Sequence, residues 1–320
     1  MMRAFAFLAL IATAATSAQP GRVYHIGMLE TTSESANRAN LDALRKGLRE
    51  AGYVEGRNLV IDYRSADGRA DRFQPLAVEL VRTKPDIIVT RGFAAARAAS
   101  EAGSIPIVMA ASADPVAAGI VKSLAHPGGH VTGLTTPVRE IAGKRIEVLK
   151  ELAPQANRIA ALLNLSNGIA QGERRQVERT AKALGMEAII FDVRSAGGLQ
   201  EALAEAADRH ADALLVNAEG VLSANRQTIL DFARKHRLPV MYATREYVEG
   251  GGLIAYGVSY PELYYRAASY VDRVLKGARP ADLPIEKPHK MYLVINVSAA
   301  TALGIPIPSK LLLRADELIR

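Results

Sequence analysis

Residues Ile87 to Val116 read IIVTRGFAAARAASEAGSIPIVMAASADPV and give the clearest indication of the fold class of this chain. Two short apolar runs, at 87–90 and 105–109, flank an alanine-rich segment at 94–102 that predicts a helix. Runs that are apolar on both faces are typical of buried parallel strands, which need helical connections. The stretch therefore predicts one strand–helix–strand unit of an open α/β sheet.

Small and polar residues follow both predicted strands. In open α/β sheets, ligands bind outside the carboxyl ends of the strands, where helix N-termini also present free N–H groups. Gly92 has no Cβ and lets a ligand approach the backbone, so we expect the N–H groups of Phe93 and Ala94 to point at it. Ser112 can add a hydroxyl donor. This arrangement suits a carboxylate, with Phe93 covering the apolar part of an amino acid or another small organic acid.

Two charged residues in this stretch leave alternatives open. Arg91 follows the first strand and can either clamp a ligand carboxylate or point to solvent. Asp114, followed by Pro115, can either cap a helix predicted over 114–125 or contact a ligand ammonium group.

Composition narrows the class of protein. The chain has 320 residues, which is enough for two lobes of about 150 residues each. Lys and Arg number 40 and Asp and Glu number 33, but the two signs are interspersed, as in the segment 173–179, which has the pattern of a solvated helix face. Because aromatic residues make up only 5%, base stacking is disfavoured, and we expect no nucleic-acid partner.

The N-terminus predicts export. Arg3 precedes an apolar run at 4–15 and small residues at 16–18, which is the pattern of a signal peptide cleaved after Ala18. The chain contains no cysteine, which excludes disulfides, thiolate metal sites and a lipoprotein anchor. These features predict a soluble periplasmic protein.

Strand and helix patterns alternate along the chain in two series, which predicts mostly parallel sheets with helices on their faces. The first series has strands at 23–29, 59–63, 87–90, 105–109 and 131–134, with helices at 37–51, 71–83, 94–102 and 114–125. The second has strands at 158–163, 187–193, 213–216, 239–242, 253–256 and 293–297, with helices at 144–152, 173–184, 198–210, 223–236 and 261–276. The predicted fold is α/β, with two Rossmann-like lobes and a ligand cleft between them.

Motifs for chemistry are missing from the sequence. The six histidines have no metal-binding spacing, and there is no GxSxG nucleophile elbow. The segment 143–145 lacks the upstream glycine of a phosphate loop and is interpreted as a helix cap or surface charge. We therefore expect no catalytic residue, no metal and no cofactor.

A resemblance to a known family rests on several segments taken together. These are 47–58 (GLREAGYVEGRN), 105–108 (IPIV), 114–116 (DPV), 127–134 (PGGHVTGL), 143–145 (GKR), 293–296 (LVIN), 302–308 (ALGIPIP) and 314–317 (RADE). In order and spacing they resemble the ABC transporter substrate-binding family with the periplasmic-binding-protein type I fold. The known members bind tryptophan, tyrosine or phenylalanine.

The resemblance implies two lobes joined by hinge strands. Lobe one would comprise residues 22–134 plus 258–288, and lobe two residues 135–257 plus 289–320. Carried over by position, the implied cleft contacts come from Thr31, Thr32, Gly92, Phe93, Ala94, Ser112, Asn164, Asn217, Glu219, Thr244 and Tyr256. Phe93 departs from the family pattern, which has a small hydroxyl residue or proline there, so the ligand need not match that of the known members.

The function predicted from these observations is that of a monomeric, exported solute receptor that closes on a small molecule and delivers it to an ABC membrane permease. One alternative is an α/β enzyme acting on a small acid, because fold alone does not decide function. The other is a ligand-sensing regulator of the same two-lobe fold, which would need a DNA-binding segment where the signal peptide stands.

Overall fold

The computed structural model describes residues 21–166 and 168–320. The first series of elements forms a five-stranded parallel sheet in the order β2-β1-β3-β4-β5. Its elements are β1 (Tyr24–Glu30), α1 (Arg38–Glu50), β2 (Leu59–Ser65), α2 (Phe73–Arg82), β3 (Ile87–Arg91), α3 (Phe93–Ala102), β4 (Ile107–Ala113) and β5 (Val131–Thr136).

The second series forms a seven-stranded sheet in the order β12-β11-β10-β9-β8-β6-β7, in which only the β10–β11 pair is antiparallel. Its elements, up to the return of the chain to the first sheet, are α4 (Val138–Leu152), β6 (Arg158–Leu163), α5 (Gly168–Ala183), β7 (Glu187–Asp192), α6 (Ala196–Asp208), β8 (Ala213–Val216), α7 (Gly220–Ala224), α8 (Arg226–His236), β9 (Val240–Tyr242), α9 (Arg245–Glu249) and β10 (Ile254–Gly257). The remaining elements are α10 (Tyr260–Leu275), β11 (Tyr292–Asn296), α11 (Val297–Leu303), α12 (Ser309–Arg314) and β12 (Glu317–Ile319).

Helix α10 returns to the first sheet, where it packs on α1 and β4. Leu41, Leu44 and Leu48 of α1 are buried against Leu263 and Val271 of α10 in one apolar core, because both helices carry an apolar stripe at helical spacing. We name residues 21–136 and 258–286 lobe one, and the other described residues lobe two. The chain passes between the lobes near Pro137, near Val258 and after Glu286.

The predicted α/β class with two mostly parallel sheets is confirmed. The prediction of a helix over 114–125 is wrong, because the structure has no helix in the described segment between β4 and β5. Asp114 has a left-handed φ of +32° and its carboxylate accepts the N–H of Ala117 at 3.0 Å, so it closes a tight turn, and turns and bends continue to Lys122. β5 continues two residues past the predicted strand end at Leu134. The helix predicted over 223–236 divides into α7 and α8 at Asn225.

The predicted signal peptide at 1–18 lies outside the described residues. Among the residues that the structure does describe, no helix is both long enough and apolar enough to span a membrane.

Candidate ligand-binding site

A cavity of about 220 Å³ lies between the two lobes, at the carboxyl ends of strands from both sheets. Lobe one contributes Thr31, Gly68, Ala70, Phe73, Arg91, Gly92, Phe93, Ala94, Ala111, Ala113, Thr136 and Tyr260. Lobe two contributes Val138, Asn164, Ser166, Ile169, Glu173, Ala218, Glu219, Gly220, Val221 and Ser223. The volume lies below the roughly 300–1,000 Å³ of typical ligand pockets, so the cavity suits one small molecule.

The N-terminus of α3 forms one wall of the cavity. Gly92 has φ +83° and ψ 160°, a conformation that is essentially restricted to glycine, and it turns the chain from β3 directly into the helix. Its own N–H donates to the carbonyl of Ala111 at 2.7 Å. The N–H groups of the next residues, Phe93 and Ala94, have no acceptor within the helix. Because a helix N-terminus carries partial positive charge, this wall favours an anionic group.

Arg91 is buried, with 8% of its surface exposed, so of the two alternatives left open by the sequence the solvent-facing one is wrong. Its Nη1 donates to Asn37 Oδ1 at 3.0 Å, and its guanidinium lies 4.2 Å from the centre of the Tyr260 ring. Its Nη2 lies 3.7 Å from Glu246 Oε1, which belongs to α9 of lobe two. Arg91 therefore lines the cavity and also connects the two lobes electrostatically.

Glu30 lies fully buried at the end of β1, close to Arg91. Burial raises the pKa of its carboxyl to about 7, although the charge of Arg91 and a hydrogen bond from Tyr264 oppose this rise. The Tyr264 hydroxyl donates to the two carboxylate oxygens at 2.8 and 2.9 Å. Arg91 is therefore flanked by acidic groups from both lobes, and much of its charge is balanced inside the protein.

A second buried pair lies on the lobe two side. Arg145 Nη1 is 3.7 Å from Glu173 Oε1, and Arg145 Nε donates to the carbonyl of Tyr256 at 2.8 Å. Burial raises the pKa of Glu173 to about 7, against the opposing effects of Arg145 and the Asn217 side chain. The sequence predicts a helix cap or surface charge at Arg145 and a solvated helix face at Glu173. The exposure expected in the latter two interpretations is wrong, because the residues are 2% and 4% exposed.

Seven of the residues predicted for the site come together in the lining: Thr31, Arg91, Gly92, Phe93, Ala94, Asn164 and Glu219. Six others lie outside it: Thr32, Ser112, Asp114, Asn217, Thr244 and Tyr256. The hydroxyl of Ser112 is buried without a hydrogen-bond partner in the described part of the chain. Asp114 forms an ion pair with Arg139 of α4, across the lobe boundary. Thr32 lines a wider groove outside the cavity.

Sequence reasoning missed Tyr260 and Glu173, which complete the lining from two sides. Tyr260 follows the N-cap Ser259 at the start of α10 and lies beside Arg91 only because the chain returns to lobe one. Glu173 lies on α5, where the surrounding run of alternating charges is typical of an exposed helix face. Neither residue carries a local signal of its role.

In residues 21–166 and 168–320, no group of three or more His, Asp or Glu side chains is placed to hold a metal ion. The cavity offers a helix N-terminus, an arginine and aromatic side chains on lobe one, and carboxylates on lobe two. Such a set of groups can bind and orient a small polar molecule.

Comparisons with known proteins agree with this geometry. Residues 25–319 match the model of the family described as ABC transporter substrate binding protein. A tyrosine-binding protein of Clostridioides difficile (strain R20291) is 29% identical over 278 residues, covering 85% of this chain and 80% of that protein.

Two solved structures of similar sequence identity differ in how well they superpose on the chain. A Streptococcus pneumonia ABC domain in complex with L-Trp is 27% identical, with a TM-score of 0.84 over 93% of this chain and 100% of that one. A ligand-free, open substrate binding protein from Clostridium difficile is 26% identical, with a TM-score of 0.64 over 93% and 99% of the two chains. The family match extends over nearly all of the described residues, and the chain therefore belongs to the ABC transporter substrate-binding protein family.

Proposed function

We propose that this protein is the exported receptor of an ABC importer and that it binds one free amino acid by closing its lobes over the cavity. The observation that carries the proposal is the division of charge across the cavity. Lobe one presents the α3 N-terminus and Arg91, and lobe two presents the carboxylates of Glu173 and Glu219. This pattern is complementary to a molecule that carries a carboxylate and an ammonium group.

The side chain of the ligand would meet aromatic and aliphatic groups. Phe73, Phe93 and Tyr260 line the cavity from lobe one, and Ile169 and Val221 line it from lobe two. Because relatives bind tyrosine and tryptophan, L-tyrosine and L-tryptophan are the first candidates. The proposal assigns binding and release to the cavity and no bond-breaking step.

Hinge closure is supported by polar contacts that cross the lobe boundary. Besides the Arg91–Glu246 and Asp114–Arg139 pairs, Asn40 Nδ2 of lobe one lies 3.5 Å from Glu246 Oε1 of lobe two. The better superposition on the L-Trp complex than on the open relative supports the same interpretation. A receptor of this kind works as a monomer in the periplasm and presents its closed form to a permease.

The test uses mature protein starting at Gln19, unfolded and refolded to remove any bound ligand. Calorimetric titration compares L-tyrosine and L-tryptophan with tyramine, which lacks the carboxylate, and with 3-(4-hydroxyphenyl)propionate, which lacks the ammonium group. We expect 1:1 binding of an amino acid and at least about tenfold weaker binding of both analogues, because each leaves buried charged groups unpaired. Equal affinity for either analogue would contradict the proposed placement of charge.

A further inference from the structure

At one close approach of the two lobes beside the cavity, the residue on the lobe one side is a glycine. Gly68, in the loop between β2 and α2, faces α7 of lobe two, and a Cβ built on it would lie 2.6 Å from the Cβ of Ala224. The same Cβ would lie 3.1 Å from the carbonyl oxygen of Gly220 and 3.2 Å from the Cα of Val221. Two of these three neighbours are backbone atoms, so a side-chain rotation cannot make room for a methyl group.

The loop that carries Gly68 is fixed by lobe one alone. The N–H of Gly68 donates to the carbonyl of Thr31 at 2.8 Å, and the N–H of Asp67 donates to Ser65 Oγ at 3.0 Å. The Asp67 carboxylate also accepts from Ser65 Oγ and from Arg72 Nη1. Asp67 and Gly68 both have left-handed backbones, with φ of +49° and +75°. All of these partners lie in lobe one, so the loop is a preformed surface that α7 meets when the lobes approach.

The contact separates two spaces. Gly68, Ala70, Val221 and Ser223 line the cavity on one side, and the same four residues line an outer groove of about 900 Å³ on the other. The contact between the loop and α7 is therefore the wall between the cavity and the groove. If the lobes separated here, the cavity would open into the groove.

We propose that Gly68 is the closure contact of this receptor. Only a residue without a Cβ lets lobe one pack against Gly220, Val221 and Ala224 and so enclose the ligand in the cavity. The inference deepens the proposed function and rests on it for the ligand, but not for the contact itself. Gly68→Ala holds the lobes apart by about the overlap of the added methyl group, so the fully closed form becomes rare. Because ligand affinity scales with the population of the competent form, the affinity falls with it.

The binding test compares Gly68→Ala with Gly56→Ala, using L-tyrosine and L-tryptophan as probes. Gly56 also lies in lobe one and has a φ of +80°, but a Cβ built on it meets nothing within 4 Å. Both variants acquire the strain of a left-handed alanine, and we expect a similar small fall in Tm. We expect only Gly68→Ala to raise the Kd, by about tenfold or more. Adding Ala224→Gly to Gly68→Ala removes the clash with the Ala224 Cβ and should restore part of the affinity. Equal Kd values for Gly68→Ala and Gly56→Ala would overturn the proposal.

A second test needs no ligand. A Cβ on Gly220 would lie 3.5 Å from the Cβ of Thr31, within the separation of about 3.5–4.5 Å that a disulfide requires. The sequence contains no other cysteine, so the double variant Thr31→Cys with Gly220→Cys reports closure through its rate of oxidative cross-linking.

We expect cross-linking in this background, slowed about tenfold or more by Gly68→Ala and unchanged by Gly56→Ala. An unchanged rate with Gly68→Ala, or no cross-link in the parent pair, overturns the closure contact. If cross-linking behaves as expected while neither amino acid binds, the contact stands and the proposed ligand is wrong.

Discussion

The buried carboxyl of Glu30 makes the stability of the protein depend on pH in a direction that can be worked out. Its pKa is raised from 4.5 to about 7 in the folded protein. The folded state therefore holds a proton that the unfolded state releases between these two values. The stability that this proton contributes is fully present below about pH 4.5 and is lost as the pH rises through about 7.

The size of the effect follows from the shift. A rise in pKa from 4.5 to about 7 corresponds to ~3 kcal/mol at about 1.36 kcal/mol per pKa unit, and most of it falls between pH 5 and pH 8. Glu30→Gln keeps an acceptor for the Tyr264 hydroxyl but cannot ionise. Relative to wild type, the variant should therefore gain ~2–3 kcal/mol in free energy of unfolding when the pH is raised from 5 to 8.

Urea denaturation at both pH values measures this difference, with Glu79→Gln, an exposed site on α2, as the control. The comparison with wild type cancels all other titrating groups. If the difference between Glu30→Gln and wild type is the same at pH 5 and pH 8, Glu30 does not titrate in this range, and the assignment of a buried, protonated carboxyl is refuted.

Three further predictions concern the site and its export. Arg91→Met should weaken L-tyrosine binding about tenfold, ~1.4 kcal/mol, because it removes the guanidinium that lines the cavity and pairs with Glu246 of lobe two. The control Arg49→Met, at an exposed site, should leave the titration curves unchanged. A ligand ammonium group beside Glu173 should lower the pKa of this carboxyl from about 7, so ligand binding at pH 6.5 should release protons. Calorimetry in buffers of different ionisation enthalpy measures this release, and Glu173→Gln should abolish it. Intact mass of the secreted protein should correspond to cleavage after Ala18, and a full-length product would contradict export.

Much of lobe one could be predicted because its signals are local. The run Ile87–Arg91 is buried throughout, and Gly92 ends it where a helix begins at once, so strand, loop and helix follow from neighbouring residues. The same reasoning failed at Asp114, where aspartate before proline is also typical of a helix N-cap. Here the left-handed backbone of Asp114 and its ion pair with Arg139 favour a turn. Its carboxylate closes the turn on the N–H of Ala117, so the cap-like pair of residues does not lead into a helix.

The parts of the site that sequence could not predict depend on packing between distant segments. Arg145 and Glu173 have the local pattern of solvated helix residues, and they are buried because α4 and α5 pack on each other. Gly68 follows an aspartate in an ordinary turn sequence, and its role depends on α7, more than 150 residues later. Ser112 shows the converse: its position after a strand predicts a cavity residue, but its hydroxyl is buried elsewhere.

Closure of the two lobes can be measured by small-angle X-ray scattering of the mature protein with and without saturating L-tyrosine or L-tryptophan, whichever calorimetry shows to bind. We expect a smaller radius of gyration with ligand, and a scattering curve for the complex that fits the lobe arrangement described above. With Gly68→Ala the decrease should be incomplete. A radius of gyration that does not change while calorimetry shows the site to be filled would contradict binding by closure of two hinged lobes.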